Sequence, residues 1–391
     1  MKRNIKFVFR SAAQGDVPKT PGLTVVIRTD ARHATASLKE HLVDELAGGD
    51  DLDVDLKPRR SVPAVEAQVE KTLHMAYQEW GHSVLGALAD CLDYDRYGLT
   101  QPEDKIVNVH FYNAHDLSIG VHAKADQLVR QAGLDQSGAP TVYISLDDLI
   151  EEHRDNWHEI GFSRLFNLHG DQQGDYMARP GTPPLEDQMK RLCQHLKELK
   201  AKYGAPVPIV FLEDNVRHAK MLNWVIDKME QENIFEYGQL AGIATCFCCA
   251  TADERAKIQC QGRKVPIGAV VDYGDAKVDV ATPRDLLFDG FVVQVADHTA
   301  RLPAVFMDIE KLFKIQPEKK EEFRELVTEA NVAFCERLEQ EFGIRIPLGW
   351  FSVADAVSKV AGVDPATPMI EVLKKPANQN IPPPDTGLNF G

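Results

Sequence analysis

The chain has 391 residues, a formal net charge of −15 and 44% hydrophobic residues. That charge excludes a protein that coats nucleic acid through phosphate neutralisation, but it leaves room for a small anionic ligand in a local basic pocket. Seven cysteines without framework spacing point to a reducing compartment, and no segment approaches the roughly 18 apolar residues of a membrane span. The opening MKRNIKFVFR has an apolar run too short for a secretory signal. Composition therefore points to a soluble, cytoplasmic protein with room for about two or three domains.

In chain order, Ile5–Phe9 and Leu23–Arg28 read as short strands separated by a Gly/Pro-bearing turn. Leu38, Leu42 and Leu46 predict a helix over 34–46, which Gly48-Gly49 would end. A longer helix begins near Ala64, with Val65, Val69, Leu73, Ala76, Trp80, Val84, Leu88 and Leu92 on one face. Gly81 and Gly86 are expected to weaken or kink it. Ile106–Tyr112 then reads as a strand, Ile119–Gln131 as a helix and Thr141–Ser145 as a strand. Leu146–Trp157 reads as a helix that Ser145 or Asp147 would cap. This is βαβ punctuation and predicts a mostly parallel sheet.

Glycine and proline cluster over 169–175 and 179–184, so a mobile loop or domain junction is expected there. A βα rhythm follows: helix Glu186–Lys202, strand Val207–Leu212, helix Val216–Glu230, apolar run Leu240–Ala250, and strands Val265–Val271 and Gly290–Val295. The fold class expected is α/β, a doubly wound, mostly parallel sheet flanked by helices. Pro317–Phe342 is a long charged helix with a Phe323, Val327, Phe334, Leu338 stripe, either a solvated face or part of a homo-oligomer interface. The tail from Lys374 carries three consecutive prolines and has little to bury. The expected organisation is an N-terminal α/β domain (1–160), a flexible junction (161–185), a second α/β domain ending in helices (186–373) and a Pro-rich tail (374–391).

The densest chemistry lies in PIVFLEDNVRHAKML, residues 208–222. The apolar run Ile209–Leu212 ends in Glu213 and Asp214, the pattern of a buried parallel strand delivering acids to the carboxyl edge of an α/β sheet, where such folds bind ligands. Two carboxylates there suit the hydroxyls of a ribose, or a Mg²⁺ bridged to phosphate oxygens through Asp214. Asn215, Arg217, His218 and Lys220 lead into the next helix, whose first amides favour an anion.

This segment resembles the signature of type I phosphoribosyltransferases over roughly Ala178 to Val295. The resemblance implies that Glu213 and Asp214 hold the ribose hydroxyls of phosphoribosyl pyrophosphate and that the following loop binds its 5′-phosphate. It further implies that Arg179-Pro180-Gly181 acts as the pyrophosphate loop. The chain departs from that pattern because Asn215-Val216-Arg217-His218-Ala219-Lys220 contains no glycine, so backbone amides cannot close on a phosphate as tightly as the family's loop does. The strand with its acidic pair also resembles a receiver domain, with Asp272 as phosphoacceptor. Asp308-Ile309-Glu310 partly fits the nucleophile motif of haloacid-dehalogenase-type phosphatases.

Other clusters have weaker patterns. Cys246, Cys248, Cys249 and Cys260 supply four thiols but no C-x₂-C pair, and they read as buried core residues rather than a zinc site. His169-Gly170-Asp171 resembles two ligands of an Fe(II)/2-oxoglutarate oxygenase triad, with His218 or His298 as third and Arg301 as oxoacid clamp. His110, His115, Asp116 and His122 are dense, and a structural role at a helix start accounts for them. Cys91, Cys193 and Cys335 sit at apolar helical positions and read as packing.

Two functions are compatible with these patterns. One is a glycosyl transferase of phosphoribosyl type acting on a ribose-phosphate or nucleotide-like donor with Mg²⁺, the 170–184 segment closing over the site. The other is a non-catalytic protein that binds a nucleotide or phosphorylated metabolite. Both imply a small phosphorylated ligand, with neither a membrane nor a nucleic-acid partner.

Overall fold

The computed structural model describes residues 5–10, 23–29, 34–48, 62–94, 107–147, 150, 155–274, 278–280, 283–295 and 298–375. In chain order the elements are β1 (Ile5–Arg10), β2 (Leu23–Thr29), α1 (Ala36–Gly48), α2 (Val62–Cys91), β3 (Val107–Asn113), α3 (Ala114–Gln131), β4 (Val142–Ser145) and β5 (Trp157–Glu159). Next come β6 (Phe162–Phe166), β7 (Gln172–Ala178), α4 (Leu185–Tyr203), β8 (Val207–Val216), α5 (Ala219–Gln231) and β9 (Gly238–Cys248). They are followed by α6 (Ala252–Ala256), β10 (Gln259–Cys260), β11 (Arg263–Lys264), β12 (Ile267–Asp272), β13 (Val278–Val280), β14 (Phe291–Val295) and β15 (His298–Leu302). Helices α7 (Ile309–Leu312), α8 (Lys320–Phe342), α9 (Ala354–Ala361) and α10 (Met369–Lys374) complete the described chain.

These elements fall into two compact units, each made of several chain stretches. Unit 1 takes Met1–Thr29, Leu99–Ser163 and Tyr176–Ala281, and unit 2 takes Asp30–Gly98, Arg164–Asp175 and Thr282–Gly391.

Unit 1 is an α/β body built on a five-stranded parallel sheet in the order β12-β9-β8-β4-β5. Central strand β8 is buried on both faces. Ile209 and Phe211 pack with Leu192, Leu196, Val225, Ile226 and Met229 of α4 and α5. Val210 and Leu212 pack with Leu117, Val121, Ala125 and Leu128 of α3. That is why the sequence here is a continuous apolar run rather than an alternation. Each fully buried side chain of this kind stabilises the fold by about 1.5–3 kcal/mol. From β4 the chain steps outward to β5, and from β8 it steps the other way to β9 and β12, so the winding reverses between β4 and β8. A second parallel sheet, β1-β3-β2-β13, and the short antiparallel pair β10-β11 also belong to this unit.

Helix ends follow ordinary chemistry. Helix α4 stops where Gly204, with φ 68°, turns left-handed and donates its N–H to the Lys200 carbonyl. Its side chain Gln188 accepts from the Gly161 N–H at 2.7 Å and donates to the Pro183 carbonyl at 2.6 Å.

Unit 2 packs the long helix α2 against α8. Trp80 Nε1 donates to Asn331 Oδ1 at 2.7 Å, and Asn331 in turn donates to the Leu286 carbonyl at 3.2 Å. Both polar groups are thereby satisfied inside an aromatic core of Trp80, Phe288 and Phe334. Helix α2 runs unbroken through Gly81 and Gly86. β14 pairs antiparallel with β15 and parallel with the Leu165-Phe166 end of β6.

Other local expectations change as well. Trp157 belongs to an edge strand, not to the end of a helix, because it pairs with Tyr143 of β4; residues 148–149 and 151–154 of that expected helix lie outside the described set. The glycine-bearing stretch after 169 contains strand β7. Strand β8 continues four residues past Leu212 to Val216, paired with β9 through Cys248. Tail residues 376–391 lie outside the described set. Among the described residues no helix is long and apolar enough to cross a membrane.

Candidate functional site at the carboxyl edge of the sheet

The register of β8 fixes where its acids stand. Leu212 lies opposite Ser145 of β4 and Ala244 of β9, and Glu213 lies opposite Thr245. Glu213 and Asp214 are therefore inside the strand, at its carboxyl end, next to the reversal between β4 and β8. Ligands of open α/β sheets bind in the crevice at such a reversal. Because successive strand side chains alternate, Glu213 takes the face of Phe211 and Asp214 that of Leu212. The strand splits the pair between faces. Thr245 Oγ1 donates to the Asp214 carbonyl at 3.1 Å, tying this end of β8 to β9.

Glu213 is the unusual group. It is only 6% exposed, and its Oε2 has no hydrogen-bond partner. Burial pushes its carboxyl well above the usual glutamate range, and the charges of Asp147 and then Asp214 push further. The Asn215 N–H and the Arg179 guanidinium pull the other way without reversing the shift. Glu213 is thus held as a neutral acid at pH values where an exposed glutamate is ionised. Asn215 Oδ1 is also buried without a partner.

Arg179 is buried beside this edge. Its Nη1 donates to Glu159 Oε1 at 3.1 Å and its Nη2 to the Leu146 carbonyl at 3.2 Å, so it braces the ends of β4 and β5. Arg179-Pro180-Gly181-Thr182 is a tight turn closed by the Thr182 N–H on the Arg179 carbonyl at 3.0 Å, with Gly181 at φ 83°.

The basic residues after β8 are arranged differently from a phosphate-cradling loop. Arg217 and His218 alone link β8 to α5, and Lys220, in the first turn of α5, is exposed. His218 is exposed, with Nδ1 3.9 Å from Glu254 Oε2. The same oxygen accepts the Ala219 N–H at 3.0 Å. The first amide of α5 therefore faces a carboxylate of the chain itself.

Of the residues singled out from sequence, Glu213, Asp214, Asn215 and Arg179 gather at the edge, while His218 and Lys220 face outward. Asp147, which sequence reasoning treated as a helix cap, is the strongest charged influence on Glu213. A signal for it was present: Tyr143-Ile144-Ser145-Leu146-Asp147-Asp148 repeats the apolar-then-acidic grammar of Val210-Phe211-Leu212-Glu213-Asp214.

The remaining clusters have structural partners. Cys246, Cys248, Cys249 and Cys260 are buried, and among the described residues no group of three or more His, Cys, Asp or Glu is placed to hold a metal. His110 Nδ1 lies 3.0 Å from the Tyr273 hydroxyl, which meets the Tyr112 hydroxyl at 2.9 Å. His122 packs against the rings of Tyr143 and Trp157. Asp272 is clamped by Arg255 through two hydrogen bonds at 2.8 and 2.5 Å. His169 meets Asp308 at 3.4 Å, Arg301 pairs with Asp289, and His298 lies 3.0 Å from Asp355.

No protein-family model matches the chain, and no curated protein matches it. Among solved structures, a crystal structure of a hypoxanthine phosphoribosyltransferase from Staphylococcus aureus is similar at 12% identity and a TM-score of 0.23, covering 40% of this chain and 75% of that one.

Proposed function

We propose that the carboxyl edge of the five-stranded sheet binds a ribose-phosphate or nucleotide-like donor and that the chain transfers its glycosyl group to an acceptor. The observation that carries this reading is Glu213, a buried carboxyl with an unpartnered Oε2 at the reversal between β4 and β8. As a neutral acid it can donate that hydrogen to a ligand hydroxyl or ether oxygen, which an ionised carboxylate cannot. Arg179, beside it, adds a fixed positive charge for a departing pyrophosphate, and catalysis is positioning plus electrostatic stabilisation of an oxocarbenium-like centre.

Mg²⁺ suits this edge only as a shared ion. The described residues do not bring three ligating side chains together, but Mg²⁺ commonly takes one or two carboxylates and completes its shell with water and phosphate oxygens. Asp214 would supply the protein carboxylate, with water and the donor's phosphate oxygens taking the other positions. When bound, the ion supplies charge neutralisation for the donor's phosphates.

A second reading, binding without turnover, is favoured by one contact: Glu254 already occupies the first amide of α5. Thermal-shift and calorimetric titrations with phosphoribosyl pyrophosphate, nucleotides and Mg²⁺ separate the two. Metal-dependent stabilisation by the pyrophosphate donor, lost in Asp214→Asn, together with pyrophosphate release supports transfer. Binding without release supports the sensor reading, and no response to any phosphate ligand sinks both.

A further inference from the structure

Two imidazoles meet where β5 packs beside α4, one residue before Glu159. His158, the middle residue of this three-residue edge strand, lies opposite Ile144 of β4. His195 belongs to α4, between the buried Leu192 and Leu196 that anchor the helix to the sheet. Their ring centroids are 4.8 Å apart with an interplanar angle of 51°. His195 Nε2 is buried and has no hydrogen-bond partner. Both residues keep part of their surface exposed. A hydrophobic contact would be better made by carbon side chains, and a buried ring nitrogen without a partner is destabilising unless something satisfies it.

We propose that His158 and His195 form a two-imidazole site for a borderline divalent cation of the Zn²⁺ or Cu²⁺ class, with water completing the shell. The spacing fits. A metal–nitrogen bond of about 2.0–2.1 Å places each ring centre roughly 3.2 Å from the ion, so ligand angles between square and tetrahedral give centroid separations of about 4.5–5.3 Å. Imidazole is the side chain these ions prefer, and coordination would give the His195 nitrogen its missing partner.

The site ties an edge strand to a helix, and its consequence reaches the next residue. Glu159 receives Arg179 at 3.1 Å, so a cation on His158 steadies the strand that holds the arginine. The site stands independently of the glycosyl-transfer reading.

Calorimetric titration of the full chain with Zn²⁺ and Cu²⁺ at pH 7.5 tests it. One equivalent should bind at a dissociation constant in the micromolar range, weaker than a four-ligand site because two protein ligands are supplied. Electron paramagnetic resonance of the Cu²⁺ form should show coupling to two imidazole nitrogens. His195→Gln and His158→Gln should each weaken binding by about tenfold or more and leave one coupled nitrogen, whereas the exposed-helix control His74→Gln should change neither readout. Binding that is unchanged in both variants, or no stoichiometric binding to the wild-type chain, overturns the proposal. The wild-type spectrum decides the question even if a variant folds poorly: a signal with no paired nitrogen coupling has the same weight.

Discussion

The backbone N–H of Ala219 donates to Oε2 of Glu254 at 3.0 Å, and the His218 imidazole stands 3.9 Å from the same oxygen. An anion therefore already sits where the helix after the acidic strand would meet a ligand phosphate. Lys257 first, and the Ala219 amide next, hold the Glu254 carboxyl below the usual glutamate range, so it is ionised at neutral pH. Glu254→Ala should raise the affinity for inorganic phosphate or a ribose phosphate several-fold, measured by calorimetry at low salt. An unchanged affinity would mean that the ligand's phosphate lies elsewhere on the edge.

Glu213 gives the chain a pH dependence of known sign. Its folded pKa is raised, so the native state keeps a proton that the unfolded state has lost. Its contribution is fully present below the ordinary glutamate pKa and is lost as pH rises through the folded value. Glu213→Gln cannot ionise. Its Tm should exceed that of the wild type at the alkaline end of a pH 4–8 series, and the gap should close on acidification. A gap independent of pH would show that Glu213 does not titrate in this window.

Arg179→Ala should lower stability by about 1.5–3 kcal/mol in urea unfolding, because it removes charge-assisted hydrogen bonds to Glu159 and the Leu146 carbonyl. Arg179→Lys should restore only part of this, since one ammonium cannot serve two acceptors in the fork geometry of a guanidinium. Recovery to the wild-type midpoint with lysine would show that charge alone matters.

Two packing substitutions separate the units. Phe211→Ala should cost unit 1 about 3–5 kcal/mol by leaving a cavity at the centre of its sheet. Gly290→Ala should destabilise unit 2 by about 2 kcal/mol or more, since Gly290 has φ 139° and an added Cβ would stand 2.0 Å from the Leu302 carbonyl oxygen. Hydrogen exchange resolved by segment should report the first loss in β8 and its neighbours and the second in β14 and β15.

The sequence alone determined the elements whose burial is local and repetitive. The 209–212 run announces a strand covered on both faces, the α2 stripe announces a long amphipathic helix, and the βα rhythm gives a parallel α/β sheet. These patterns are legible because burial imposes a period on the chain itself. The strand order could not be read, because paired residues such as Ser145 of β4 and Leu212 of β8 lie 67 positions apart in the chain (212 − 145). Only that order puts Asp147 near Glu213 and makes this edge a reversal. Tertiary structure also decided that β8 continues to Val216, since pairing with β9 outweighs the local preference for a polar loop. That extension splits Glu213 from Asp214. The acidic pair visible in sequence is therefore replaced by a buried, partly unpartnered acid shifted first by its own burial and then by a carboxylate from another strand's end. Desolvation and proximity between distant residues are properties of the folded sheet, and no local pattern carries them.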